Sequence, residues 1–144
     1  MAGIDSHLST LDISVSGMRA ERIRMDVAMS NLANVHSTRT DEGGPYRRRE
    51  VVFRTLLENA AQNGGFGGRG VEVAEIVMDK SEFIRVYRPG HPDADAEGFV
   101  LFPNINTAEE MADLLSASRA HEANSAAFRV TKEMFKRALE IGRA

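Results

Sequence analysis

The sequence predicts an α+β fold in which long N- and C-terminal α-helices pair as an antiparallel coiled coil, with a small β-rich segment between them. Apolar residues recur at alternating spacings of three and four over both ends of the 144-residue chain, which is the helical period. Gly and Pro gather in the middle, where they separate short alternating stretches. Together these observations predict two helices that flank a few strands.

An unbroken apolar series predicts the N-terminal helix. Asp5, Ser6 and Ser9 offer N-cap side chains ahead of it, and a helix that continues to Asn34 would be roughly 40 Å long. The series has the spacing of a coiled-coil a/d seam with one charged member. Its members are Leu8, Leu11, Val15, Met18, Arg22, Met25, Met29 and Leu32. A second apolar set lies on the opposite side and consists of Ile13, Ala20, Ile23 and Val27.

Start and stop signals bound the C-terminal helix. Thr107 and Glu110 form a T-x-x-E capping box, and Gly142 follows the last periodic residue, where helix ends favour a residue that tolerates positive φ. One series at 3-4 spacing contains Met111, Leu114, Ser118, His121, Ser125, Phe128, Lys132, Phe135 and Leu139. A second series, on the other side, contains Ala120, Ala123, Ala127, Val130, Met134 and Ile141.

Both predicted helices therefore have two apolar sides. When two such helices pair, each buries one stripe, and the second stripe stays in water unless another chain covers it. An ordinary amphipathic helix on a globular core needs only one apolar side. The pattern predicts assembly with other chains.

The middle of the chain is expected to contain four strands joined by loops. Alternating apolar residues predict the strands at residues 46–53, 71–78, 83–87 and 99–102. The second and third of these are expected to form a hairpin around residues 79–82. The remaining stretches are interpreted as a helical turn at 56–61, a mobile Gly-rich loop at 64–70 and a polar loop at 89–98.

Composition excludes several classes of protein. The 18 Lys and Arg against 21 Asp and Glu give a formal charge of −3, so no electrostatic attraction to nucleic acid or to an anionic membrane is expected. No Cys is present, which excludes disulfides and thiolate sites. No apolar run approaches the roughly 18 residues of a membrane-spanning helix. The first residues lack a basic patch followed by an apolar stretch, so no cleaved secretory signal peptide is expected.

One loop has the residue types of a metal site but not a complete ligand set. His91, Asp93, Asp95 and Glu97 alternate in a loop, but a calcium loop needs a fuller ligand set and zinc needs further fixed ligands. The stretch is interpreted as a solvated acidic turn, and we expect no metal and no cofactor. Nothing in the sequence favours an enzyme.

Two further motifs are also interpreted without a catalytic or binding role. The Gly-rich stretch at 64–70 lacks the Lys-Ser/Thr of a phosphate loop and is interpreted as a linker. Arg47, Arg48 and Arg49 are consecutive, and consecutive strand residues face opposite sides, so they cannot form one cationic patch.

Three blocks of sequence carry a family resemblance. The first spans residues 11–46 and includes the Asn-Leu-Ala-Asn sequence at 31–34 and Glu-Gly-Gly-Pro-Tyr-Arg at 42–47. The second runs from Tyr-Arg-Pro-Gly-His-Pro-Asp at 87–93 to Pro-Asn-Ile-Asn at 103–106, and the third covers 116–142. In these blocks the chain resembles the rod and hook axial proteins of the bacterial flagellum, and within them the proximal-rod subfamily.

That resemblance implies a structural subunit of the flagellar basal-body rod that polymerises helically with other axial proteins, forming the drive shaft and export channel of the motor. It implies three segments: an N-terminal coiled-coil helix (1–36), a β-rich middle segment with loops (37–106) and a C-terminal coiled-coil helix (107–144), the two helices forming one inner-core domain. The implied partners are further copies of the chain, other proximal-rod subunits, the rod-to-export-gate adaptor and the membrane ring. The implied location is the rod in the periplasmic space, reached through type III export.

An assembly interface is predicted on the two helices, from the apolar stripes and from the matching motifs. Asn31 and Asn34 are also expected to satisfy backbone groups where the first helix ends. The full set is Leu11, Val15, Met18, Met25, Val27, Met29, Asn31, Leu32, Asn34, Leu114, Asn124, Phe128, Val130, Met134, Phe135 and Leu139. The alternative is a small cytoplasmic helical adaptor that homodimerises through its coiled coil.

Overall fold

The computed structural model describes residues 2–57 and 68–142, with side chains in 10–56 and 70–142. Its elements in chain order are α1 (Ala2–Ala33), β1 (Arg49–Leu57), β2 (Gly68–Met78), β3 (Ile84–Tyr87), β4 (Phe99–Phe102) and α2 (Thr107–Ile141). The predicted α+β fold is confirmed, because two long terminal helices flank a β-rich middle. Over the described ranges, neither helix offers an apolar stretch of the length that crosses a bilayer.

The two helices lie side by side and run in opposite directions. Gly17 lies against Asn124, and Asn31 hydrogen-bonds Glu110, so contacts further along α1 fall earlier along α2. This order of contacts is that of an antiparallel pair. Supercoiling of the pair stays a prediction.

The strands form two separate antiparallel pairs. β1 pairs with β2, with Arg49 opposite Met78, and β3 pairs with β4, with Ile84 opposite Phe102. The expected hairpin between the second and third strands is therefore wrong. The Asp79 N–H extends the first ladder by donating to Arg48 O at 2.8 Å, and the chain then turns away toward β3.

Some predicted element boundaries differ from those in the structure. β1 begins at Arg49 rather than at residue 46 and continues through Leu56 and Leu57, so the helical turn expected there is wrong for those two residues. Residues 58–67, which hold the rest of that turn and most of the Gly-rich loop, lie outside the described residues. The loop's last residues, 68–70, belong to β2 rather than to a mobile segment.

The helix ends differ from the predicted caps. Asn106, not Thr107, caps α2, because its Oδ1 accepts from Ala108 N at 3.0 Å. At the other end Gly142 does cap the helix, but with φ −74°, so positive φ is not what requires glycine there. α1 begins at Ala2, which places the N-caps expected at residues 5, 6 and 9 inside the helix.

Candidate assembly interface

A buried asparagine ties the end of α1 to the start of β1 and to α2. Asn31 is 1% exposed. Its Nδ2 donates to Arg49 O and to Glu110 Oε2, both at 2.9 Å. Its Oδ1 accepts from Arg49 N at 3.0 Å and from Tyr46 Oη at 3.1 Å. All four hydrogen-bonding positions of the amide are used, so Asn31 fixes where the chain leaves the helix pair.

The carboxylate beside Asn31 is buried and paired. Glu110 is 2% exposed, and Arg48 Nε donates to its Oε1 at 2.5 Å. Arg48 also pairs with Glu50. Burial lowers the pKa of Arg48, but its hydrogen bonds to Glu50 and Glu110 outweigh that effect and raise the pKa. Because a buried charge without a partner is costly, Arg48 is what permits Glu110 at this position.

A second ion pair joins the helices one to two turns away. Arg24 Nε donates to Asp113 Oδ2 at 3.1 Å, and its Nη2 contacts the other carboxylate oxygen. The hydrogen bond to Asp113 is the largest influence on Arg24 and raises its pKa, against a smaller opposing effect of burial. Two-point contact of this kind sets the orientation of both side chains.

Asn34 closes the C-terminal end of α1. Its Nδ2 donates to Ser30 O at 2.9 Å, and its Oδ1 accepts from Ser37 Oγ at 2.9 Å. The expectation that these residues satisfy backbone groups at the end of α1 is confirmed for Asn34, whereas Asn31 binds the backbone of Arg49 at the start of β1.

The seam between the helices consists of small side chains. A Cβ built on Gly17 would lie 2.7 Å from Asn124 Nδ2, which shows how closely the helices approach. The fully buried small residues are Ser14, Gly17, Ala20 and Ala28 on α1 and Ala117 on α2. The apolar series predicted as the coiled-coil seam is therefore not the seam: none of its members from Leu11 to Leu32 is fully buried.

Large apolar side chains lie instead on the outside of the helix pair. Their exposure shows that they are not part of the chain's own core. Fully burying one such side chain is worth about 1.5–3 kcal/mol, which the single chain does not gain. Met29, Met111, Leu115, Val130, Met134, Leu139 and Ile141 are 48–78% exposed. Among the described helix side chains the buried ones are small or polar, while these large apolar ones lie outside, which is the reverse of an isolated two-helix core.

The predicted interface residues fall into three groups. Asn31 is buried and, with Asn124, contacts groups of its own chain. Eleven are half-buried: Leu11, Val15, Met18, Met25, Val27, Leu32, Asn34, Leu114, Asn124, Phe128 and Phe135. Four are exposed: Met29, Val130, Met134 and Leu139. Their role in assembly stays a prediction.

Sequence reasoning missed the charged residues that position these faces. Glu110 is predicted only as a capping residue and no role is predicted for Arg24, whereas Arg24 binds Asp113 across the helix pair and Glu110 binds Arg48. The signal in the sequence for these contacts was the presence of charged residues on helix sides that are otherwise apolar. The three consecutive arginines do diverge as expected, since Arg47 stacks on Phe83 and Arg48 binds Glu110.

The acidic turn at residues 91–97 is bound to the chain rather than arranged around a cation. Asp93 accepts from Thr38 Oγ1 at 2.8 Å and pairs with Arg39. Among the residues that the structure describes, no three His, Asp or Glu side chains converge on a possible metal position.

Comparison with known proteins places the chain in a family. Residues 11–39 match the family described as flagella basal body rod protein, and residues 96–141 match that described as flagellar basal body rod FlgEFG protein C-terminal. These two stretches contain most of α1 and all of α2.

Whole-chain relatives agree with both matches. The chain is 43% identical over 145 residues to the flagellar basal-body rod protein FlgC of Borreliella burgdorferi, covering 92% of this chain and 95% of the relative. It is also 43% identical to FlgC of Bacillus subtilis (93% and 97% covered) and 38% identical to FlgC of Salmonella typhimurium (94% and 97% covered). The chain therefore belongs to the FlgC family of flagellar basal-body rod proteins, a structural family.

Proposed function

We propose that this flagellar rod subunit polymerises through the outer faces of its two helices, which form one inner-core domain (1–36 with 107–144) around the export channel. The middle segment, 37–106, lies outside this inner core. As a basal-body rod protein the chain assembles with other rod proteins; the proposal concerns the surfaces that it uses.

The observation that carries the proposal is the distribution of side-chain size around the helix pair. Ala117 on the inside is 0% exposed, whereas Val130 and Met134 on the outside are 56% and 60% exposed. Removing apolar surface of this kind from water stabilises the protein, and here that requires a neighbouring subunit to cover the surface.

The total surface area supports the same conclusion. The chain exposes 10502 Å². A compact monomer of its 15.8 kDa mass would expose about 7300 Å² by the usual scaling of area with mass. The excess fits a subunit that leaves much of its contact area for neighbours.

Contacts between different faces of a subunit can build a rod. When two different faces of a subunit meet, the contact repeats from copy to copy, and a rotation that does not close generates a helix. The two helices present different outer faces, since one carries Met29 and the other Val130 and Met134.

Further partners are part of the proposal. We place the subunit in the periplasmic part of the rod, in contact with the rod-to-export-gate adaptor and the membrane ring, after type III export. The family resemblance supports these partners, and cross-linking mass spectrometry of purified basal bodies would identify them.

The test is substitution of an outer-face residue. Val130→Asp should block incorporation into basal bodies, because a carboxylate would be buried against a neighbour. Lys80→Asp is the matched control, since Lys80 is exposed in the turn after β2 and has no ion pair within the described residues. Circular dichroism should show both variants folded. Normal basal bodies that contain the Val130 variant would overturn the proposal.

A further inference from the structure

Two rows of exposed charges lie on the outer sides of the helix pair. On α1, Asp12 and Arg19 are one heptad apart, and on α2, Glu122 and Arg129 are one heptad apart. All four side chains are exposed, and none has a hydrogen bond or ion pair to another described residue. Within the described part of the chain, these charges therefore have no partner.

The contacts inside the chain set the relative height of the two rows. Gly17 lies level with Asn124. Five residues before Gly17 is Asp12, and five residues after Asn124 is Arg129, so these two lie level on antiparallel helices. Arg19 lies two residues after Gly17 and Glu122 two residues before Asn124, so these two also lie level. At each height the two helices carry opposite charges.

The rows cannot meet within one chain. At 100° per residue, Asp12 and Arg19 lie roughly 150° around α1 from Gly17, and Glu122 and Arg129 lie a similar angle around α2 from Asn124. Each row therefore points away from the other helix, and the two rows project from opposite sides of the pair.

We propose that a second copy of this chain packs beside the first with its helices in matching register, so that Asp12 pairs with Arg129 and Arg19 with Glu122 of its neighbour. This inference rests on the proposed function, for which it specifies one lateral contact. When this contact repeats from copy to copy, both ion pairs form at each interface. Each copy then keeps one row of charges free to pair with the next copy.

The order of charges makes this register specific. A slip of one heptad places either Asp12 against Glu122 or Arg19 against Arg129, which repel. Exposed ion pairs add little affinity, but like-charge contacts are strongly disfavoured. The apolar faces supply the free energy of the contact, and the charged rows select its register.

Cysteine cross-linking tests the contact, since the chain has no Cys of its own. In purified basal bodies, an Arg19→Cys, Glu122→Cys variant should give covalent multimers of this chain with a short thiol cross-linker. The control variant Asp12→Cys, Glu122→Cys is one heptad out of register and should give none. Equal cross-linking of both variants, or cross-links only to other proteins, overturns the inference.

Charge reversal provides a second measurement. Arg19→Glu should weaken incorporation about tenfold by placing it against Glu122, and Arg19→Glu with Glu122→Arg should restore it. No restoration contradicts the pairing. If Val130→Asp blocks the rod while the charge reversals have no effect, the proposed function stands and this lateral contact does not.

Discussion

Gly17 and Asn124 meet where the two helices approach most closely, and a Cβ on Gly17 would lie 2.7 Å from Asn124 Nδ2. The close approach explains why small residues occupy the seam and why the large apolar side chains remain outside. A helix pair built in this way is held by short contacts, the Arg24–Asp113 ion pair and the Asn31–Glu110 hydrogen bond rather than by a thick apolar core.

Enlarging Gly17 should force the helices apart. We expect Gly17→Leu to destabilise the chain by about 1–3 kcal/mol, the usual cost of overpacking a tight contact. Gly90→Ala is the control, because a Cβ at Gly90 meets nothing within 4 Å. Urea unfolding followed by circular dichroism measures both. A Gly17 variant as stable as the control would show that the approach is not a constraint.

Asn31 should matter more than Asn34. Asn31→Ala removes four hydrogen bonds at a buried position, to Arg49, Tyr46 and Glu110, and should cost about 2–4 kcal/mol. Asn34→Ala removes bonds at a half-buried helix end and should cost about 1 kcal/mol. The two unfolding free energies measured side by side test the order, and equal values would contradict the central position of Asn31.

Gly70 should tolerate substitution less well than Gly43. Both have positive φ, +119° and +87°, so alanine strains the backbone at either position by about 1–2 kcal/mol. Only at Gly70 would the new Cβ also overlap Ser16 Oγ, which accepts from Val71 N at 3.1 Å. Gly70→Ala should therefore unfold at a lower temperature than Gly43→Ala and speed hydrogen exchange at Val71. Equal melting temperatures would argue against this contact between β2 and α1.

Asp79 should make stability depend on pH at the acid end. Its backbone hydrogen bond from Ser81 N, at 2.8 Å, lowers the pKa of Asp79 below its ordinary value. A lowered folded pKa means that the contribution is complete above the unfolded value of about 3.9 and is lost as pH falls through the folded value. The difference in stability between the natural chain and Asp79→Asn should shrink over that range. The effect should be small because Asp79 is only partly buried and solvent screens its interactions. A difference that does not change with pH would contradict it.

The sequence could predict the helices because their signal is local. The apolar period runs through both ends without interruption, and the resulting fold class is confirmed. It could not predict which side of α1 meets α2, because periodicity weights large apolar residues such as Leu11 and Met18, whereas contact distance favours Gly17, Ala20 and Ala28. Closeness of backbones depends on what the partner helix presents, and no single stretch of sequence contains that information.

The strand pairing and the contacts of Glu110 could not be predicted from the sequence either, because both join residues that are far apart in the chain. β2 pairs with β1 rather than with the nearer β3, and Glu110 finds Arg48 62 positions away. A T-x-x-E pattern is a good local explanation of Glu110, but the observed carboxylate faces inward to Asn31 and Arg48 instead of back toward the helix start. Non-local contacts of this kind override local preference.

Solvent protection at Val130 tests most directly the claim that the outer apolar faces are reserved for neighbouring subunits. A Val130→Cys variant supplies the only thiol in the chain, and Lys80→Cys supplies a control thiol away from the helix faces. The account predicts rapid maleimide labelling of both thiols in isolated subunits, and loss of labelling at position 130 alone in purified basal bodies. Equal labelling of position 130 before and after assembly would contradict it.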